Sequence, residues 1–144
     1  MARKKAVPDI LPKLGRFVLL GLNADNQLSG SGVGRIDLKR TEEIILETIA
    51  PGEGTDYCRV VVRLNITVSG RREKDEQDIV RVDGVYEGRF SVQPGITIEM
   101  LDSVAGQEAF QYGLTAQIYP LAMSHLRDQL LLMGLTTRHM PIGL

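Results

Sequence analysis

Two histidines, one cysteine and two runs of carboxylates are the groups in this 144-residue chain that could do acid–base, nucleophilic or metal chemistry. Their spacing assembles no such site. His125 and His139 have no cysteine near either, so they lack the ligand pattern of a metal centre. His125 reads as a helix-surface or interface residue. Cys58 stands beside an apolar strand and reads as a small buried hydrophobe. Glu42-Glu43 and the run from Glu73 to Asp78 read as solvated turn charges, because a general acid–base pair needs a partner in a pocket and none is supplied. Gly30, Gly32 and Gly34 sit in no βαβ pattern and open no helix, so they read as turn glycines and not as a phosphate cradle. No Ser-His-Asp spacing or nucleotide-binding loop occurs. The expectation is a protein that is not an enzyme, with no cofactor and no metal.

The bulk properties narrow the classes further. The net charge of −1 gives no global attraction to nucleic acid. Charge is uneven, however: Arg3, Lys4, Lys5, Lys13 and Arg16 against Asp9 make the start of the chain basic. Residues 1–13 are expected to be a flexible basic arm, and residues 14–144 one domain. A single cysteine makes no internal disulfide. No apolar stretch follows the basic residues as in a secretory signal, and the apolar run near Leu130 is too short to span a bilayer. These features predict a cytoplasmic protein without membrane insertion.

The elements follow from hydrophobic period. Val60, Val62, Leu64, Ile66 and Val68 alternate with Arg59, Arg63, Asn65 and Thr67, which predicts a strand with one buried face. Val80, Val82, Tyr86, Phe90 and Val92 share a face in the next strand, with Gly84 and Gly88 among them. Two interior glycines imply a bulge or the close approach of another backbone. The charged connection between these strands favours a hairpin. Arg16–Leu22 is an earlier strand, with the turn-rich Asn23 to Gly34 after it. Arg35–Leu46 is one long strand with a bulge near Arg40–Glu42, or two short ones. Pro51-Gly52-Glu53-Gly54 is a turn, and Pro94-Gly95 ends the sheet. The stretch from Ile96 to Tyr112 is ambiguous.

A final helix is predicted from Ile118 to Met133, with Pro120 in its first turn and Gly134 as its stop. Ile118, Ala122, Leu126, Leu130 and Met133 form one stripe. Leu121, Met123, Leu131 and Leu132 lie off it. One small sheet needs a stripe only ~100° wide, so this surplus is assigned to an oligomer interface or a ligand.

Four signals in order carry a family resemblance: the strand end Gly88-Arg89-Phe90-Ser91-Val92, the helix segment Tyr119-Pro120-Leu121-Ala122, the stop at Gly134 and the exit Pro141-Ile142. In that order and spacing the chain resembles the SecB family of protein-export chaperones, over roughly residues 14–144. The resemblance implies an α+β fold, a four-stranded antiparallel sheet packed against one long C-terminal helix. It implies a homo-oligomer, a dimer of dimers with the long helices between two sheets. It also implies apolar grooves that hold unfolded or partly folded client polypeptides without ATP, either in protein export with the SecA motor or for a dedicated client such as an antitoxin. Candidate groove residues are Ile44, Leu46, Leu135, Met140 and Ile142. The sequence departs from the family at Leu121-Ala122-Met123-Ser124, where Tyr-Ala-Arg-Glu is frequent. It is nearly neutral where the export members are strongly acidic, and it ends at Leu144, where those members continue into a second helix and a SecA-binding tail. The alternative is an oligomeric interaction or adaptor domain that buries its apolar helix completely and has no chaperone activity.

Overall fold

Alternating branched aliphatics build the centre of the fold. The computed structural model describes residues 9–27, 36–52, 54–72 and 78–135. The elements are β1 Lys13–Asn26, β2 Ile36–Ile49, β3 Arg59–Arg72, β4 Val80–Ser91, α1 Ile98–Ala105 and α2 Glu108–Leu132. The four strands form one antiparallel sheet in the order β1-β4-β3-β2. β3 and β4 are adjacent, and their register pairs Val60 with Phe90, Val62 with Gly88, Leu64 with Tyr86 and Val68 with Val82. All the apolar members of these pairs are buried beneath the helices, as their period of two predicts. The sheet's other face carries Arg59, Arg63, Arg81, Asp83, Glu87 and Arg89.

The glycines of β4 serve side chains, not another backbone. A Cβ on Gly88 would meet Ile118 Cγ2 of α2 at 2.7 Å, and one on Gly84 would meet the Tyr86 ring at 2.7 Å. Gly88 thus lets α2 come down onto the sheet, and Gly84 leaves room for a ring lying along its own strand. The bulges lie in β1, whose register shifts between Leu14 and Arg16 and between Leu19 and Gly21. The bulge expected near Arg40–Glu42 is absent: β2 pairs with β3 in unbroken register from Ile36↔Arg72 to Ile49↔Arg59. Both charges point toward the helix side of an edge strand, where the cover is incomplete. The Arg40 guanidinium lies 5.3 Å from the Tyr119 ring centroid, and its Nε is 3.8 Å from Glu42 Oε2. Inward-pointing charge on an edge strand also discourages unwanted strand pairing. β1 likewise runs on to Asn26, past the expected end at Leu22.

The long helix begins ten residues before Ile118, so Pro120 lies in its interior and not in its first turn. A proline there removes one helical hydrogen bond, at a cost of ~3 kcal/mol. Packing offsets it. Leu114, Thr115, Ile118, Tyr119, Ala122, Met123, Leu126 and Leu130 are all buried. At ~100° per residue these positions span about half the helix circumference. The subunit's own sheet and loops therefore take much of the apolar surplus, including Met123, which is fully buried. Met123 has no surface left for another subunit, which corrects its assignment to the oligomer interface. The helix closes on Gly134, φ 86°. The Gly134 N–H donates to Leu131 O and the Leu135 N–H to Leu130 O, both at 3.0 Å. This paired closure draws Leu135 onto Leu130. Leu135 is thereby part of the core, which corrects its assignment to a client groove.

On the open sheet face Glu87 is buried beneath two arginines. Arg89 Nε donates to Glu87 Oε1 at 2.7 Å, and Arg63 Nη2 to Oε2 at 3.4 Å. Hydrogen bonding from Arg89 is the largest influence holding the carboxyl below its usual range. Arg81 does the same for Asp83 on that face. Both groups have depressed folded-state values, so their contribution is complete above the unfolded carboxylate range and is lost as pH falls through the folded values.

Two outcomes are expected. Gly88→Ala should destabilise the fold by roughly 1–3 kcal/mol through overpacking. Combined with Ile118→Ala, its cost should fall well below the sum of the two single losses in a urea-unfolding cycle. Glu87→Gln should lower stability at pH 7 by roughly 1 kcal/mol and flatten the decline between pH 5 and pH 3 (about the range of unfolded carboxylates) in thermal melts. An unchanged slope would show that Glu87 carries none of the acid dependence.

Candidate functional site

β2 is an edge of the sheet, paired on one side by β3. Period two puts Glu42, Ile44, Leu46 and Thr48 on its helix-facing side. α1 lies beside this row. Thr97 caps it by accepting from the Met100 N–H at 3.2 Å, and Leu101 anchors it in the core. That rotation directs Asp102 and Ala105 toward β2. Thr48 Oγ1 donates to Asp102 Oδ1 at 2.6 Å and ties the helix to the strand. The chain turns at Gly106, and Gln111 of α2 reaches back, its Nε2 donating to Ala105 O at 3.0 Å.

These contacts frame an open groove of about 300 Å³ lined by Ile44, Leu46, Thr48, Asp102, Ala105, Gly106 and Gln111. The β2 wall offers Ile44 and Leu46 beside the Thr48 hydroxyl, the other wall carries a carboxylate and an amide, and the exposed lining is more polar than apolar. Ile44 is 43% exposed, while Leu46 is half-buried against the core. Of the predicted groove residues, these two come together here. Leu135 belongs to the core, and Met140 and Ile142 lie outside the described residues. The polar lining was missed. Thr48 continues the phase of Ile44 and Leu46 and was visible in that sense. Asp102 and Gln111 required knowing where α1 ends and α2 starts.

The other chemically distinctive groups are built into the packing. Tyr86 OH lies 2.7 Å from His125 Nδ1, and Phe17 stacks on the Tyr86 ring at 5.7 Å. Burial pushes the Tyr86 phenol far up. Burial, followed by the charge of Glu42, pushes Tyr119 up to about 12. The Tyr119 hydroxyl reaches no hydrogen-bond partner among the described residues. Cys58 is buried, its thiol donating to Ile96 O at 3.3 Å. Burial and the carboxylates of Asp102 and Glu99 push that thiol up, away from the reactive thiolate. No group of three metal-ligating residues occurs among the described residues, and His139 lies outside them. No helix among them is long and apolar enough to cross a membrane.

A second apolar surface lies on α2, away from the sheet. Leu121, Leu131 and Leu132 are exposed there, Leu132 by 82%. Leu121, Leu131 and Leu132 are therefore the predicted interface residues that keep a surface to offer. Residues Asp9 to Leu11, within the predicted arm, lie along Gln93. The Leu11 N–H donates to Gln93 Oε1 at 2.9 Å, and Gln93 Nε2 donates to Asp9 O.

No protein-family model and no curated protein matches the chain. Among solved structures it is similar to the Mycobacterium tuberculosis Rv1957 SecB-like chaperone, solved in complex with a ChAD peptide from the HigA1 antitoxin. The TM-score is 0.62 at 16% identity, over 92% of this chain and 88% of that one. The sheet order, the short α1 and the sheet-packed α2 thus make up a SecB-like fold.

Proposed function

We propose that this protein binds non-native polypeptide segments and holds them from aggregating, without nucleotide. The observation that carries this reading is the groove beside Ile44 and Leu46, which opens along an edge strand whose outer backbone groups have no ladder partner among the described residues. An extended chain laid there gains main-chain hydrogen bonds from β2, polar contacts from Thr48, Asp102 and Gln111, and a small apolar burial against Ile44 and Leu46. The likeness of fold to a chaperone that binds an antitoxin peptide supports a polypeptide ligand. Service to one dedicated client fits the nearly neutral charge better than general export with SecA. The subunits associate through Leu121, Leu131 and Leu132 of α2, in pairs that assemble further. This keeps β2 free for clients.

The decisive measurement is aggregation of a chemically unfolded client, followed by light scattering at stoichiometric ratio without nucleotide. The protein is expected to suppress it, and Ile44→Lys should weaken suppression several-fold while leaving the melting temperature within about 2 °C, since Ile44 is exposed. No suppression by the native protein would favour the adaptor reading. For the assembly, Leu131→Asp together with Leu132→Asp should shift sedimentation toward smaller species. The same change at Met123 should instead unfold the subunit, because it buries an unpaired charge. A native protein that sediments as a monomer at micromolar concentration would overturn the interface.

A further inference from the structure

The open face of the sheet is electrically lopsided. Register places Lys13, Arg16, Arg59, Arg63 and Arg89 within three successive rows at one end, with Glu47 and Glu87 as the carboxylates there. The remaining rows hold Lys39, Arg71 and Arg81 against Asp25, Asp37, Glu43 and Asp83. One end thus carries five cations against two carboxylates, and the other three against four. Glu87 is buried under Arg63 and Arg89, and both of its oxygens are already bonded. Arg16 and Arg59 are exposed, with no ion pair among the described residues. Arg16 also stands directly across β1 and β4 from Arg89. Like charges in opposite positions repel, and an anion between them removes that repulsion.

We propose that this basic end docks an extended acidic segment of a partner polypeptide. Guanidinium groups take carboxylates with two parallel hydrogen bonds. Successive rows on one face are ~7 Å apart, matching alternate side chains of an extended peptide laid along the strands. Buried Glu87 fixes Arg63 and Arg89 in place, so two of the cations lose little freedom on binding. The face stays accessible when subunits associate through α2, because α2 covers the opposite side of the sheet. Nucleic acid fits less well. The patch carries no aromatic side chain for base stacking, and the carboxylates of the adjoining rows would repel a polyanion longer than the patch. The inference does not depend on the holding activity, which uses the other face and the β2 edge.

The test is fluorescence anisotropy of a labelled oligo-glutamate peptide of about eight residues, long enough to cross the three rows. It is run at ~50 mM salt, where surface charges are weakly screened. Arg16→Glu with Arg59→Glu should weaken binding at least about tenfold. Lys39→Glu, at the other end of the face, should leave it within about twofold. Both variants alter exposed residues. An unchanged melting temperature of the double variant would show that any loss of binding comes from the two removed cations and not from unfolding. Equal binding by the native protein and the double variant, or no binding by the native protein, would overturn the proposal. Tighter binding of a single-stranded oligonucleotide of the same charge would also overturn it, in favour of nucleic acid.

Discussion

The distance between α2 and the sheet governs this molecule. Ile118 reaches the sheet where Gly88 has no side chain, and from that contact the helix lays Ala122, Met123, Leu126 and Leu130 along β3 and β4. Because it sits so low, Tyr119 is driven toward β2 and under Arg40, while His125 meets Tyr86 on the other flank. The apolar burial gained along the helix is also what tolerates a proline in its middle. The groove depends on the same contact, because the position of α2 sets where its first turns meet α1 and how far both stand from Ile44 and Leu46.

The centre of the fold was legible in the sequence, and its margins were not. β3 and β4 declared themselves because both faces of each strand have uniform surroundings, apolar beneath and aqueous above. β2 gave a mixed signal. Arg40 and Glu42 occupy inward positions that a central strand would fill with aliphatics, and on an edge strand they reach solvent from there. The apparent bulge was an effect of incomplete cover. In β1 the true bulges fall at Gly15 and beside Gly21, so the glycine signal read in β4 belonged to this strand.

The start of α2 was hidden for a related reason. Gly113 and Pro120 both argue against a helix, and the polar residues Glu108, Gln111 and Gln117 dilute the stripe. Tertiary packing overrides that local preference, and no short window of sequence contains it. The site was half legible for the same cause. Ile44 and Leu46 lie in a strand that could be read. Asp102 and Gln111 lie on elements whose position follows from the helix contact. The assignment of Leu135 failed because a residue just beyond a glycine stop can fold back onto the last turn as readily as it can leave it.

The hydrogen bond from Thr48 to Asp102 has a consequence for how the groove behaves over time. It is an exposed link between the edge strand and the short helix that forms the groove's far wall. Such a bond is worth about 1 kcal/mol net, so breaking it costs the fold little. α1 is held otherwise by Leu101 in the core, by its capping threonine and by Gln111 Nε2 donating to Ala105 O. The groove's far wall is therefore tied at two points, to β2 through Thr48 and to α2 through Gln111, each worth little beside the buried leucine. Either tie can yield to a bulky side chain at a cost small beside the burial of Leu101.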